Sequence, residues 1–181
     1  MIFKDIDKDL YNKRLKIITI AFVAAFALLS IAFGSILIQF FGNTTDIVVV
    51  ANMDGEPESN FKLNMAGVII ALLLCAAVLH GLRKKPLFEE VYYVWQLKQL
   101  HNLVYRKLKT IELHANKGDE KAIAILVQYY TSLKQVYTLD NNDLTMSSVN
   151  QSLSQWQEKA EAVSMTVDEA IFTAENIKSI E

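Results

Sequence analysis

The sequence predicts an all-α protein in which a transmembrane two-helix hairpin precedes a cytosolic antiparallel helical bundle of three long helices and one short one. Two stretches of 25 and 20 residues, 17–41 and 63–82, contain no Asp, Glu, Lys or Arg. A helix rises about 1.5 Å per residue, so about 20 apolar residues cross the roughly 30 Å hydrocarbon core of a bilayer. After residue 85, apolar residues recur every three or four positions, which is typical of helices with one buried face.

Composition agrees with this class. Of the 181 residues, 52% are hydrophobic, and the excess lies in the two apolar stretches. The remaining length allows one small soluble domain. The formal net charge of −2 argues against nucleic acid as a partner. Cys75 is the only cysteine in the sequence, which excludes an internal disulfide framework and a cysteine-based metal site.

The distribution of positive charge predicts the orientation. The basic residues that flank the two stretches are Lys4, Lys8, Lys13, Arg14 and Lys16 before the first and Arg83, Lys84 and Lys85 after the second. Between the stretches there are one lysine and four carboxylates. Because basic flanks stay on the cytoplasmic side, both termini are predicted to be cytoplasmic. The predicted segments are a basic cytosolic tail (1–16), transmembrane helix 1 (17–41), an external loop (42–62), transmembrane helix 2 (63–82) and a cytosolic helical domain (83–181).

The N-terminal tail admits two interpretations. A cleaved signal peptide is excluded, because its apolar core spans only about 7–15 residues and ends at a small-residue cleavage site. Ile2, Phe3, Ile6 and Leu10 recur at roughly helical spacing among charges. The tail is therefore either a short amphipathic helix at the lipid headgroups or a disordered charged segment.

Small residues recur at four-residue steps within the apolar stretches and indicate how the hairpin packs, because they let helix backbones approach closely. These residues are the pairs Ala21 with Ala25 and Ser30 with Gly34 in the first stretch, and Gly67, Ala71 and Cys75 in the second. His80 is the one ionisable intramembrane candidate for a relay, and its position near Arg83 favours a place at the interface.

Pro86 is expected to end the second span, and a new helix is predicted from Pro86 to about Asn116, with a left-handed cap at Lys117-Gly118. The start of this helix carries the predicted membrane-surface contacts, which are Arg83, Lys84, Lys85, Phe88, Tyr92 and Trp95. Basic residues attract anionic headgroups, and amphipathic aromatic rings favour the interface. The alternative is that the three rings form the top layer of the bundle core.

Two more long helices and a short one follow. Asp119 is predicted to cap a helix that ends at Asp140-Asn141-Asn142, and Thr145 to cap the next. The packing residues predicted for that third helix are Met146, Val149, Leu153, Trp156 and Ala160. Thr166 and Glu169 have capping-box spacing for a final helix over residues 168–177.

Charge favours one packing arrangement. Residues 98–117 carry a net charge of +4 and residues 145–181 a net charge of −4. We therefore expect the first cytosolic helix to lie near the C-terminal segment, although exposed pairs contribute little energy. The alternative is that both are solvated faces.

Reactive patterns are absent from the sequence. There is no glycine-rich phosphate loop, and no histidine has the Glu-x-x-His partner of a di-iron bundle. Residues 140–143 lack the turn glycine of a calcium loop. The sequence therefore predicts no enzymatic activity, no cofactor and no metal.

One segment resembles a known family. Glu90-Val91-Tyr92-Tyr93-Val94-Trp95-Gln96-Leu97-Lys98, directly after a second span with a basic end, resembles a family of uncharacterised proteobacterial two-span inner-membrane proteins. Leu139-Asp140-Asn141-Asn142 and Thr145-Met146 are similar to it too. The resemblance implies a multi-pass protein of the bacterial inner (plasma) membrane with a periplasmic loop, and it carries no assigned activity.

Two functions are compatible with these observations. The first is a membrane-anchored interaction or scaffold protein that contacts the lipid bilayer, through anionic headgroups, and binds a protein partner or itself. The alternative is a subunit of a small oligomeric channel, whose pore Thr19, Ser30, Ser35 and Gln39 would line. A measurement of ion conductance would distinguish the two functions, because only the channel predicts it.

Overall fold

The computed structural model describes residues 3–42, 60–168 and 171–180. The regular elements in these residues are helical, and two long apolar helices come first, so the predicted all-α class is confirmed. The helices are α1 (Lys8–Phe41), α2 (Phe61–Leu82), a 3₁₀ turn (Pro86–Phe88), α3 (Glu89–Asn116), α4 (Glu120–Leu139), α5 (Met146–Ala162) and α6 (Ala174–Lys178).

The chain divides into two compact units. One comprises Met1–Arg14 and Glu89–Glu181, and we call it the bundle unit. The other comprises Leu15–Phe88, and we call it the hairpin unit. Helix α1 begins in the first unit and continues into the second.

Both helices of the hairpin unit are long and apolar enough to cross a membrane. They end at Phe41 and Leu82, the residues at which the two apolar stretches end. Of the predicted external loop over residues 42–62, residues 43–59 lie outside the described part of the chain.

Two glycines bring α1 and α2 into backbone contact. A Cβ added to Gly67 would lie 2.5 Å from the backbone N of Gly34. Gly67, Ala71 and Cys75 are buried, so the small-residue row predicted on α2 does face inward. A side chain at residue 67 would force the helix backbones apart, and this is why the close approach requires glycine. On α1, Ala21 is exposed, which shows that its small-residue row is not buried along its whole length.

Helix α4 lies at the centre of the bundle unit and packs against both α3 and α5, while α6 packs against α3. Residues 122–129 of α4 are buried without interruption. A helix that is apolar all round is buried on every side, so this run marks the central element. Farther along the helix, Tyr130, Leu133 and Tyr137 are half-buried.

Most helix ends follow the sequence signals. Helix α3 ends at Asn116, and Gly118 has φ of +89°, which confirms the left-handed cap. Its α-helical part begins at Glu89 rather than at Pro86, because residues 86–88 form the 3₁₀ turn. Asp119 accepts hydrogen bonds from the backbone N–H groups of Lys121 and Ala122, as a capping carboxylate should. Thr145 occupies the N-cap of α5, although its side chain makes no capping hydrogen bond.

The final helix differs from its prediction. Residue 169 of the expected capping box lies outside the described residues, and α6 begins at Ala174 instead of near residue 168. The side chain of Thr173 caps it by accepting from the backbone N–H of Asn176. The expected start was wrong because a second capping residue lies seven positions later and has the extended backbone that a cap requires.

The predicted packing stripe of α5 is buried over most of its length. Val149, Leu153, Trp156 and Ala160 are buried, and Met146 is half-buried. The ammonium group of Lys159 lies 4.4 Å from the centroid of the Trp156 ring, in cation–π geometry.

Candidate functional site

The N-terminal residues 3–14 pack within the bundle unit, and we call them the N-terminal strap. The backbone N–H of Lys4 donates to the hydroxyl of Tyr93 (3.0 Å), and the side-chain amide of Gln135 donates to the carbonyl of Lys4 (2.6 Å). The Tyr93 hydroxyl in turn donates to Gln135 (3.4 Å). Side chains of α3 and α4 therefore satisfy both backbone groups of Lys4.

Tyr11 is the main buried group of the strap and is 2% exposed. Its hydroxyl donates to Oδ1 of Asp140 (3.2 Å), and Oδ2 of Asp140 accepts from Lys98 (2.7 Å). Burial, together with the charge of Asp140, raises the pKa of Tyr11 to about 12. The neighbouring Asn12 donates to the carbonyl of Leu139 (3.2 Å) at the end of α4. This contact satisfies one of the carbonyls that a helix end leaves unpaired.

Two ion pairs lie where the chain leaves and re-enters the bundle unit. Arg14 pairs with Glu90, and their side chains are 22% and 16% exposed. Lys4 pairs with Glu89 at 2.8 Å in a more exposed position. This hydrogen bond raises the pKa of Lys4 and lowers that of Glu89. The pairs hold the strap beside the start of α3, so the two chain connections leave the bundle unit next to each other.

The tail was expected to be a headgroup helix or a disordered segment, so its docking in the bundle unit is a new finding of the structure. Tyr11 and Asn12 are uncharged polar residues between charged ones, and that was the one local signal. Their partners lie more than 120 residues away along the chain. Hydrophobic periodicity compares residues that are close together in the sequence, so it cannot detect contacts between residues that are far apart in it.

A second polar cluster is buried between α3 and α4. Nε2 of His101 lies 2.8 Å from Oγ of Ser132, and Ser132 is 0% exposed. The hydroxyl of Ser132 donates to the carbonyl of Tyr129 (3.0 Å). Since that bond uses the single hydroxyl proton, His101 carries its proton on Nε2 and donates to Ser132. The rings of Tyr129 and Phe172 lie near the imidazole, with centroids 5.6 and 6.5 Å from it.

This arrangement holds a neutral histidine and does not activate a nucleophile. A general base needs a free lone pair toward the hydroxyl, and here Nε2 is protonated. Burial, with a smaller effect of the Lys98 charge, lowers the pKa of His101 to about 4. The pair therefore satisfies two buried polar groups in the bundle core. Among residues 3–42, 60–168 and 171–180, no cluster of three or more His, Cys, Asp or Glu side chains could hold a metal ion.

The buried histidine makes stability depend on pH. As pH falls through about 6.5, the unfolded chain binds a proton at His101 that the folded chain excludes until about pH 4. We therefore expect the free energy of unfolding of the bundle unit to fall by about 3 kcal/mol between pH 7 and pH 4 through this group alone. His101→Gln should remove this part of the pH dependence, as measured by denaturant titration of the full chain at each pH. Equal slopes in the unaltered protein and in His101→Gln would contradict the assignment.

The residues predicted to contact the membrane surface belong to both units. In the hairpin unit, Lys84 and Lys85 are exposed, while Arg83 and Phe88 are half-buried. In the bundle unit, Trp95 is 53% exposed and stacks on the half-buried ring of Tyr92, with centroids 5.6 Å apart.

The core at the start of α3 is formed by different residues. The side chains buried there are those of Tyr93 and Val94. Trp95 is therefore not part of the bundle core, and its contact with a membrane surface stays a prediction.

The basic helix α3 does meet the C-terminal segment, through backbone carbonyls. The ammonium group of Lys107 donates to the carbonyl oxygens of Lys178 (2.8 Å) and Ile180 (2.6 Å). Carbonyls at a helix C-terminus carry partial negative charge, so they stabilise a lysine placed there. Helix α3 therefore lies near the C-terminal segment as expected, and Lys107 contacts backbone carbonyls around the end of α6.

Comparison with known proteins establishes the family of this chain and assigns it no function. No curated protein and no solved structure matches the chain. A family model described as "Protein of unknown function (DUF3087)" matches residues 1–177. The expected resemblance to an uncharacterised family is thereby confirmed. Because the match covers almost the whole sequence, the chain belongs to the DUF3087 family.

Proposed function

We propose that this protein is a non-enzymatic, membrane-anchored interaction module, with its two apolar helices in the bacterial inner membrane and both termini in the cytoplasm. The observation that carries the proposal is the N-terminal strap. Tyr11 is buried in the bundle unit, and Arg14 pairs with Glu90. The chain on both sides of the hairpin unit is therefore fixed to the same end of the bundle unit.

An ordered strap of this kind suits a domain that presents a preformed surface to a partner. A surface that is ordered before binding loses less entropy when the partner binds. The bundle unit would then bind a protein partner or a second copy of the chain. The uncharged apolar stretches and the basic residues beside them support the orientation.

The chemistry of the bundle supports a non-enzymatic role. The one buried His–Ser pair that we find in the described residues is closed to solvent, and its protons are arranged for structural hydrogen bonds. A catalytic site needs a concave surface that a substrate can enter. The His101–Ser132 pair has no such access.

The channel alternative has less support from α1. At 100° per residue, Thr19 and Ser30 lie on one face of the helix, and Ser35 and Gln39 lie on nearly the opposite face. The hydroxyl of Ser30 already donates to the carbonyl of Phe26 (2.7 Å). Four groups that would have to line one pore do not share a face, so we favour the anchored module.

The experiment uses the full chain in bacterial membranes. A reporter fused after Glu181 should be active only in the cytoplasm, and one inserted at Gly55 only outside. The protein should resist extraction by alkaline carbonate. Crosslinking through lysines in intact cells should give a discrete adduct larger than the 20.5 kDa monomer. Vesicles that contain the purified protein should show no ion flux.

Each outcome bears on a separate part of the proposal. External activity of the C-terminal reporter would overturn the orientation, and carbonate extraction would overturn the anchor. Ion flux that changes in Ser30→Ala or Gln39→Ala would favour the channel. Tyr11→Ala should weaken the crosslinked adduct, because it frees the strap; an unchanged adduct would show that the strap does not serve the interaction.

A further inference from the structure

The hairpin unit contains an apolar groove between α1 and α2. Its volume is about 380 Å³, which lies in the range of small-molecule sites. The lining side chains are apolar and include Phe22, Ala25 and Leu29 of α1 and Leu74 and Val78 of α2. Leu87 in the 3₁₀ turn also contributes to the lining. Val78 and Leu87 are partly exposed, so the groove is open at its side.

The groove occupies one half of the hairpin. On α1 its lining extends from Ile17 to Leu29, which is about 18 Å along the helix axis. The hydrocarbon core is roughly 30 Å thick, so this length corresponds to about one leaflet. Toward the other half, the backbones of Gly34 and Gly67 are in close contact. The groove thus has the length of a single acyl chain in one leaflet.

Positive charge is concentrated at one end of this groove. Lys16 precedes the lining residue Ile17, and Arg83, Lys84 and Lys85 follow the lining residue Leu82. Residues 15–42 and 60–88 contain no Asp or Glu. No carboxylate of this described part of the hairpin unit can therefore neutralise the four cations.

We propose that the groove binds one acyl chain of an anionic glycerophospholipid, whose phosphate lies against Lys16, Lys84 and Lys85. The inference rests on the proposed function, because it requires that the hairpin unit be in a membrane. An apolar slot one leaflet long, with basic residues at its headgroup end, matches the two parts of such a lipid. A second copy of this hairpin is a poorer occupant, since it would bring its own four cations to the same end.

The test uses native mass spectrometry of the full chain, purified with mixed phosphatidylglycerol and phosphatidylcholine of identical acyl chains. Phosphatidylglycerol should stay bound at collision energies that remove phosphatidylcholine. Ala25→Phe should abolish this retention, because the added ring fills the groove. Ala24→Phe places the same ring on a neighbouring face and should leave retention unchanged.

Charge is tested with a second matched pair of variants. The double substitution Lys84→Gln and Lys85→Gln should reduce the preference for phosphatidylglycerol by roughly 30-fold, given the usual attraction of each basic residue to anionic lipid. Lys62→Gln changes a lysine at the other end of α2 and should have no effect.

Three outcomes would overturn the lipid site. Equal retention of both lipids would show that lipid fills the groove without recognition of its headgroup. Sensitivity to the lysines with no sensitivity to Ala25→Phe would show surface attraction without an acyl-chain site. Retention unaffected by either change would place the bound lipid elsewhere. In all three cases a protein that resists carbonate extraction keeps the proposed anchor, so failure of the lipid site is distinguishable from failure of the proposed function.

Discussion

Replacing Tyr11 with Ala is expected to lower the free energy of unfolding of the bundle unit by about 3–5 kcal/mol, the usual cost of removing a buried aromatic ring. The ring is 2% exposed, and its hydroxyl is bonded to Asp140. Denaturant titration of the full chain in nanodiscs measures this loss. The chain has two tryptophans, Trp95 and Trp156, and both belong to the bundle unit, so their fluorescence reports its unfolding.

Two control variants separate the contributions at this site. Tyr11→Phe keeps the ring and removes the hydrogen bond, so a loss of about 1 kcal/mol is expected. Tyr105→Ala removes an aromatic ring that is 71% exposed on α3 and should change stability by no more than about 0.5 kcal/mol. If Tyr11→Ala behaved like Tyr105→Ala, the strap would not be docked in the protein in solution.

Replacing Trp156 with Ala is expected to have a similarly large effect, about 3–5 kcal/mol. Trp156 is 7% exposed on α5, which packs against α4, and Lys159 lies over its ring. The substitution removes both the apolar burial and the cation–π contact. Loss of helical circular dichroism during denaturation provides the measurement, since this variant lacks one of the two fluorophores.

The matched control for Trp156 is Gln157→Ala, the next residue on the exposed side of α5. This variant should melt like the unaltered protein, because alanine is a good helix former and the site has no buried contact. Unchanged stability in Trp156→Ala would mean that the packing stripe faces a second molecule and not α4. Leu153→Ala, with an expected loss of about 2–5 kcal/mol, provides an independent check.

Local signals predicted much of the helical architecture. The apolar stretches end at the same residues as α1 and α2. A continuous apolar run is a property of neighbouring residues, so the sequence alone reveals it. Gly118 and Asp119 mark the α3–α4 boundary through backbone conformation and capping, which act over a few residues. The final helix was placed too early because two capping residues, Thr166 and Thr173, compete within eight positions.

By itself, the sequence determined the helical class, the two candidate spans, the order of the long helices and the absence of reactive motifs. These follow from composition and from spacings within one helix. Only the tertiary structure decided that Tyr11 bonds to Asp140, 129 residues away, and that His101 and Ser132 share a buried hydrogen bond. The groove between α1 and α2 was likewise decided by packing, because its shape depends on how two separate helices meet. Periodicity predicts that a face is buried, and tertiary packing selects the partner that buries it.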